Sequence, residues 1–169
     1  MLPSRLLTAA LLATALVVPA TAGAAQRAKP PTPVSVAAAV GERYWGAVPC
    51  NGQITVLAQR ALPAGSDPTT DAWVTFDSPL GANNLAAPAS SYSHCTIELA
   101  RWRWPTAASM RADWGMLCMT MTHELGHLLG RQHDAAPGSV MAPVFTDYSS
   151  EPAVCRAARP VRATRSGRR

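Results

Sequence analysis

The sequence has little charge, few aromatic side chains and few groups that bind metals. Of its 169 residues, 15% are charged and 6% are aromatic, and there are four histidines and four cysteines. No two cysteines are spaced as CxxC, which excludes the common cysteine-based zinc sites. Beyond the N-terminal leader no apolar run is long enough to cross a bilayer, so we expect no transmembrane segment.

The net charge of +5 does not describe the central part of the chain. Residues 34–155 contain six arginines and all ten acidic residues, so this segment carries a charge of −4, and nucleic-acid binding is not indicated. Residues 156–169 contain six arginines and no acidic residue. We expect an Arg-rich disordered tail there, which either only aids solubility or makes weak contact with an anionic cell surface.

The N-terminus has the pattern of a secretion signal. Arg5 precedes a thirteen-residue apolar run, Leu6–Val18, which is too short for a membrane span. Small residues at Ala22 and Ala24 fit the cleavage rule of signal peptides. We therefore expect residues 1–25 to be a signal peptide and the protein to be secreted into the extracellular space.

In an exported protein the four cysteines are expected to form disulfide bonds. In an oxidising compartment, Cys50, Cys95, Cys118 and Cys155 predict two disulfide bonds. Three connectivities are open, and we favour Cys50–Cys95 with Cys118–Cys155. The second bridge would connect the principal helix to the end of the domain.

The rest of the chain divides into a linker and one domain. Residues 26–39 are rich in proline and predict a linker or a short pro-segment, and residues 40–155 predict a single folded domain. Alternating apolar residues and helical spacing predict the regular elements of that domain. These are strands near 52–59, 73–77 and 95–100, a long helix over 110–129, and a short helix from 149 or 150 to 158.

The most informative segment of the chain is residues 123–133, which read His-Glu-Leu-Gly-His-Leu-Leu-Gly-Arg-Gln-His. In a helix, His123 and His127 are one turn apart and point in the same direction. Two imidazoles at this spacing can bind one zinc ion. Glu124 lies between them, placed to act on a water at the metal rather than on the metal itself.

A third histidine, His133, can reach the same metal only if the helix ends before it. In a continuous helix His133 would lie about nine ångströms beyond His127 and on a different face. Gly130 can adopt the left-handed conformation that terminates a helix, so the chain can turn back and bring His133 to the same metal. Three imidazoles leave one tetrahedral position open, as in catalytic rather than structural zinc sites.

This motif, H-E-x-x-H-x-x-G-x-x-H, resembles the zinc signature of the metzincin metallopeptidases. Gly138–Pro143 is similar to the methionine turn that those enzymes place beneath the zinc, with Met141 as its methionine. The segment from Cys95 to the helix is similar to the small secreted matrixin-type peptidases of bacteria. Asp134 follows the third histidine, where matrixins usually have serine. Pro143 stands where astacins have a tyrosine ligand. No PRCGxPD cysteine switch is present.

The resemblance implies an α+β structure, a reduced metzincin-like zincin fold. It would have a small twisted mixed sheet on the zinc-binding helix, a methionine turn and a short C-terminal helix. Metzincins place a long helix between their first two strands. Only about a dozen residues separate the first two predicted strands here, so we expect that helix to be absent or to lie elsewhere in the chain, in a reduced version of the fold.

The resemblance also implies a secreted zinc endopeptidase that hydrolyses peptide or protein substrates. One catalytic Zn²⁺ would be held by His123, His127 and His133, with Glu124 as the general base. Two alternatives stay open at this point: a non-catalytic secreted zinc-binding module, and a hydrolase of cell-wall peptide with the same fold.

Overall fold

The computed structural model describes residues 30–159, so the expected signal peptide and residues 160–169 lie outside the described residues. Within that range the structure is α+β, as expected from the sequence. The helices are α1 (Pro33–Trp45), α2 (Ala107–Ala112), α3 (Trp114–Leu128) and α4 (Ala153–Ala157), and the strands are β1 (Ile54–Arg60), β2 (Ala72–Asp77) and β3 (Ser93–Ala100).

Helix α1 corrects the prediction of a linker for residues 33–39, whereas residues 26–29 of the predicted linker lie outside the described residues. The Thr32 hydroxyl accepts a hydrogen bond from the Ser35 backbone N–H at 3.1 Å, and Pro33 occupies the first turn, where its missing N–H costs nothing. Ala37 and Val40 are buried against α3, so this segment belongs to the folded domain from Pro33 onward. Of the prolines that suggested a linker, Pro33 begins the helix, while Pro30 and Pro31 precede it.

The sheet has three strands in the order β1-β3-β2. Strand β3 is central, parallel to β1 and antiparallel to β2. Its alternate residues Cys95, Ile97 and Leu99 are buried, as expected for one face against the core. Residues 61–71, which join β1 to β2, contain no helix, so the reduced form of the fold is confirmed.

The predicted helix over residues 110–129 is divided into α2 and α3 at Asp113. Asp113 has φ −105° and ψ 39°, which interrupts the helical backbone. Helix α2 begins with a capping box between Thr106 and Ser109, so it is an independent element. Helix α3 is buried along almost its whole length between α1 and β2. It is therefore the central element of the domain.

Two disulfide bonds are present, Cys50–Cys95 and Cys118–Cys155, which is the connectivity that the sequence favoured. The first attaches the turn before β1 to β3, and the second attaches α3 to α4. No helix among residues 30–159 is long and apolar enough to cross a membrane.

The C-terminal boundary lies a few residues later than predicted. Helix α4 extends to Ala157, the guanidinium of Arg156 donates to the Glu151 carbonyl, and Arg159 forms an ion pair of 3.7 Å with the buried Glu151 carboxylate. Residues 156–159 are thus part of the fold rather than of a disordered tail.

Candidate metal centre

Helix α3 supplies the first part of the site. His123 and Glu124 are 7% and 6% exposed, and His127, one turn later, is partly buried. The apolar stripe predicted from the sequence is buried on the other faces of the helix: Trp114, Leu117, Met121, Leu125 and Leu128. Because the helix is held on those faces by the core, its histidines are presented to a cleft on the remaining side.

Helix α3 ends as the sequence predicts. Gly130 has φ 77°, its N–H bonds to the His127 carbonyl at 2.9 Å, and the Arg131 N–H bonds to the Gly126 carbonyl at 2.9 Å. This pair of bonds is the Schellman motif, in which a left-handed glycine caps the last helical carbonyls. The chain then reverses and brings His133 back to the two helical histidines.

The three imidazoles form one cluster. Their ring centroids lie 4.6 Å (His123 to His127), 5.3 Å (His123 to His133) and 4.9 Å (His127 to His133) apart. One ring nitrogen from each lies within 4.8 Å of the others. The fourth histidine, His94, is exposed on β3, where it pairs with Asp77 at 2.9 Å and takes no part in the cluster.

Backbone carbonyls determine which nitrogens can bind a metal. His123 Nδ1 lies 2.9 Å from the Val140 carbonyl oxygen, and His127 Nδ1 lies 2.8 Å from that of Arg131. A carbonyl can only accept, so each Nδ1 carries the proton. In the neutral rings the Nε2 lone pairs are consequently free, and such outer hydrogen bonds are typical of metal-binding histidines.

The arrangement of these lone pairs fits a metal ion. His123 Nε2 and His127 Nε2 lie 3.0 Å apart, and neither can donate a hydrogen bond to the other when both Nδ1 atoms are protonated. Two facing lone pairs at this distance repel each other, and a cation between or beside them would relieve that repulsion. Two nitrogens at about 2.0 Å from a tetrahedral zinc would be about 3.3 Å apart, close to the spacing found here.

Burial favours the neutral form of the histidines. It lowers the pKa of His123 to about 4, with His127 and His133 adding to the effect and the Val140 hydrogen bond opposing it. The pKa of His127 is lowered mainly by burial as well. Neutral imidazole is the form that binds zinc. Burial, followed by the Asp71 carboxylate, raises the pKa of Glu124 to about 8, and a nearby cation would oppose that shift.

The segment predicted as a methionine turn lies directly beneath the cluster. Met141 is buried, its N–H bonds to the Ser139 hydroxyl at 3.1 Å, and its carbonyl accepts from the Asp134 N–H at 2.9 Å. A Cβ on Gly126 would come within 2.5 Å of the Met141 sulfur. A glycine in the middle of the motif therefore allows the methionine to pack against the helix.

A cleft of about 710 Å³ opens from the histidines and Glu124. The edge strand β2 forms one wall through Ala72, Trp73 and Val74, and residues 142–145 form the opposite wall. Asp71, Arg103 and Thr120 extend the cleft beyond Glu124, towards the start of α3; the full lining also includes Asp67, Thr69, Thr70 and Trp102. An exposed strand edge beside a reactive group suits an extended chain.

The sequence did not reveal the polar residues at this end of the cleft. Asp71 immediately precedes β2, and Arg103 lies in the loop after β3. Asp113, at the break between α2 and α3, contacts Arg103 from outside the cleft lining. Arg103 Nε donates to Asp113 Oδ2 at 3.0 Å and lies 4.0 Å from Asp71 Oδ2. These residues are distant in sequence and have no motif, so only the Asp113 helix break offered a local signal.

A three-histidine cluster with this helix, turn and methionine defines the class of metzincin-type zinc metallopeptidases. Residues 41–156 match the family model for Matrixin peptidases. That match covers most of the chain, so the protein belongs to the matrixin family. Searches of curated proteins and of solved structures found no significant match. Family and site together support a zinc metallopeptidase.

Proposed function

We propose that the protein is a secreted zinc-dependent endopeptidase. The single observation that carries this proposal is the cluster of three histidines, with Nε2 lone pairs freed by carbonyl hydrogen bonds, beside a buried Glu124 in an open cleft. A leader with the pattern of a signal peptide and two disulfide bonds support export. The family match supports peptides or proteins as substrates.

His123, His127 and His133 would hold the metal through their imidazoles, leaving one position for water or substrate. When bound, Zn²⁺ supplies Lewis acidity towards the scissile carbonyl and the attacking water. Glu124 would take the proton from that water and pass it to the leaving amine. The edge of β2 would align an extended substrate by strand addition, with residues 142–145 opposite.

The metal assignment is tested by elemental analysis of metal-replete protein. We expect about one zinc per chain for three convergent imidazoles. His127→Ala should lose the metal, whereas His94→Ala, an exposed histidine outside the cluster, should keep it. Full zinc retention in His127→Ala would remove the basis of the proposal.

The catalytic assignment is tested by Glu124→Ala. This variant should retain zinc and fold but lose a factor of about a hundred or more in turnover of a peptide that the wild type cleaves. Glu42→Ala changes a partly exposed glutamate of α1, outside the cleft, and serves as the matched control. Zinc-loaded protein that cleaves no member of a peptide library would favour the non-catalytic zinc module.

A further inference from the structure

The end of the cleft beyond Glu124 contains two buried oxygen atoms without a hydrogen-bond partner. They are Asp71 Oδ1 and Thr120 Oγ1. Thr120 is 3% exposed and lies one helical turn before Glu124, so it is on the same side of α3 as the reactive carboxylate. Both residues line the cleft that holds the histidines. A buried polar atom without a partner is costly, and a charged one more so.

The cationic neighbour of Asp71 does not satisfy it. Arg103 Nε donates to Asp113 Oδ2 at 3.0 Å and lies 4.0 Å from Asp71 Oδ2, so the guanidinium is committed mainly to Asp113. Two carboxylates thus share one guanidinium. Burial raises the pKa of Asp71, with Arg103 opposing that shift and the Asp113 carboxylate adding to it, so a further cation beside Asp71 would favour its ionised form. Among residues 30–159, Asp71 Oδ1 has no hydrogen-bond partner.

The carboxylates at the rim and in the interior of the cleft differ in their hydrogen bonding. Asp67 also lines the cleft, but it is exposed, and its Oδ1 accepts from the Thr69 N–H at 2.7 Å and from the Thr69 hydroxyl. A ligand therefore gains little from Asp67. Among the described residues that line the cleft, the buried side-chain oxygens without a partner are therefore those of Asp71 and Thr120.

We propose that this end of the cleft is a specificity pocket for a basic substrate side chain, whose ammonium or guanidinium group bonds to Asp71 and Thr120. A cation with several N–H donors satisfies both oxygens. An apolar side chain of the same length would leave both oxygens unpaired. This inference rests on the proposed peptidase function, because it assigns a substrate preference to the same cleft.

The test compares peptides that carry lysine or norleucine, which share a four-carbon stem, at each of four positions around the scissile bond. At one position kcat/KM should favour lysine by about tenfold or more, as expected for a hydrogen bond to a charged group. Asp71→Asn should bring that ratio close to one. Asp67→Asn, the same change of charge on the rim, should leave it unaltered.

The ratio of kcat/KM for the lysine peptide to that for the norleucine peptide separates an effect on specificity from an effect on catalysis. Asp71 also affects the electrostatic environment of Glu124, but an effect through Glu124 would change both peptides equally. Thr120→Val, which is isosteric, should lower the ratio of lysine to norleucine cleavage, because one of the two oxygens that would bind the cation is removed. A wild-type enzyme that cleaves both peptides equally well at all four positions would overturn the pocket and leave the peptidase function intact.

A binding measurement makes the inference independent of turnover. Zinc-loaded Glu124→Ala should bind the lysine peptide about tenfold more tightly than the norleucine peptide in isothermal titration. A second outcome is that the wild type hydrolyses no peptide while the lysine peptide still binds more tightly than the norleucine peptide. That result would contradict the proposed function but not the pocket. Equal binding of the two peptides, or none of the lysine peptide, would mean that water satisfies the two oxygens and that the pocket is not specific for cations.

Discussion

At the scale of single residues, the metal centre depends on backbone atoms as much as on side chains. The carbonyls of Val140 and Arg131 fix the Nδ1 protons of His123 and His127, and so direct the Nε2 lone pairs to a common point. Both carbonyls lie in segments positioned by glycine turns, at Gly130 and Gly138. The geometry of the histidines is therefore sensitive to backbone changes that do not touch an imidazole.

Gly130 provides the residue-scale prediction. A Cβ at this position would meet only ordinary contacts, the nearest being Ala89 at 3.4 Å, so the effect of substitution comes from its φ of 77°. We expect Gly130→Ala to reduce the free energy of unfolding by about 1–2 kcal/mol, because an L-residue is strained in this region. Zinc affinity should fall with it, since His133 follows the turn.

Gly130→Asn is the matched variant, because asparagine tolerates the left-handed conformation better than alanine. Denaturant unfolding and a zinc titration of both variants give the comparison. An alanine variant as stable as the asparagine variant would show that the turn does not require a left-handed residue.

At the scale of elements, Asp113 connects three segments of the chain near the cleft. Its carboxylate accepts from Arg103 Nε at 3.0 Å, from Trp104 Nε1 at 3.2 Å and from the Tyr148 hydroxyl at 2.9 Å. It thereby ties the loop after β3 and the segment after the methionine turn to the start of α3. Gly115 leaves room for the Tyr148 ring, since a Cβ there would come within 2.9 Å of it.

Loss of the Tyr148 hydroxyl should loosen the wall formed by residues 142–145 without altering the histidines. We expect Tyr148→Phe to raise KM for a cleaved peptide by about two- to tenfold, the range for one hydrogen bond, with kcat nearly unchanged. Steady-state kinetics measure this directly. Tyr44→Phe is the control, because Tyr44 is exposed on α1 outside the cleft. A fall in kcat with constant KM would contradict a positioning role.

The second disulfide also acts at this scale, because it attaches α4 to the first half of α3. Cys118 and Cys155 are both fully buried and 37 residues apart in sequence. Replacing both by serine should lower the free energy of unfolding by about 4 kcal/mol on the chain-entropy estimate for a loop of this length. Chemical unfolding of the double variant and of wild type measures the difference, and a loss below about 1 kcal/mol would show that packing alone holds α4.

At the scale of the whole molecule, the domain is small and depends on its termini. Helix α1 covers α3 at one end of the chain, with Gly41 allowing close approach, since a Cβ there would lie 2.6 Å from Leu125. At the other end, Trp114 Nε1 donates to the Cys155 carbonyl at 2.8 Å. The fold therefore extends from Pro33 to Arg159, beyond the limits of 40 and 155 expected from the sequence.

Two C-terminal truncations test this boundary. Removal of residues 160–169 should leave zinc content, thermal stability and peptide hydrolysis unchanged. Removal of residues 156–169 should lower Tm by about 3 °C or more, because the buried Glu151 would lose its contacts with Arg156 and Arg159. Equal melting temperatures for the two truncations would place the boundary at Cys155, as the sequence suggested.

The site was more predictable than its surroundings. Helical spacing places His123 and His127 on one face, and the need to end the helix at Gly130 follows from the distance to His133; both are local geometry. The three strands were also predictable, because alternation of apolar residues is a local signal. The prolines before α1 were misinterpreted because Pro at the first turn and Pro in a linker look alike in sequence.

By itself, the sequence determined the helix and turn that bring three histidines together, the zinc metallopeptidase class and the α+β composition. Only the tertiary structure decided that α1 packs on α3, that Asp113 connects Arg103 and Tyr148 to the start of α3, and that Asp71 and Thr120 line the same cavity. The physical reason is the distance along the chain over which the deciding interactions act. Helix periodicity and left-handed turns are fixed by neighbours in the chain, whereas an unsatisfied oxygen is defined by what the rest of the fold places around it.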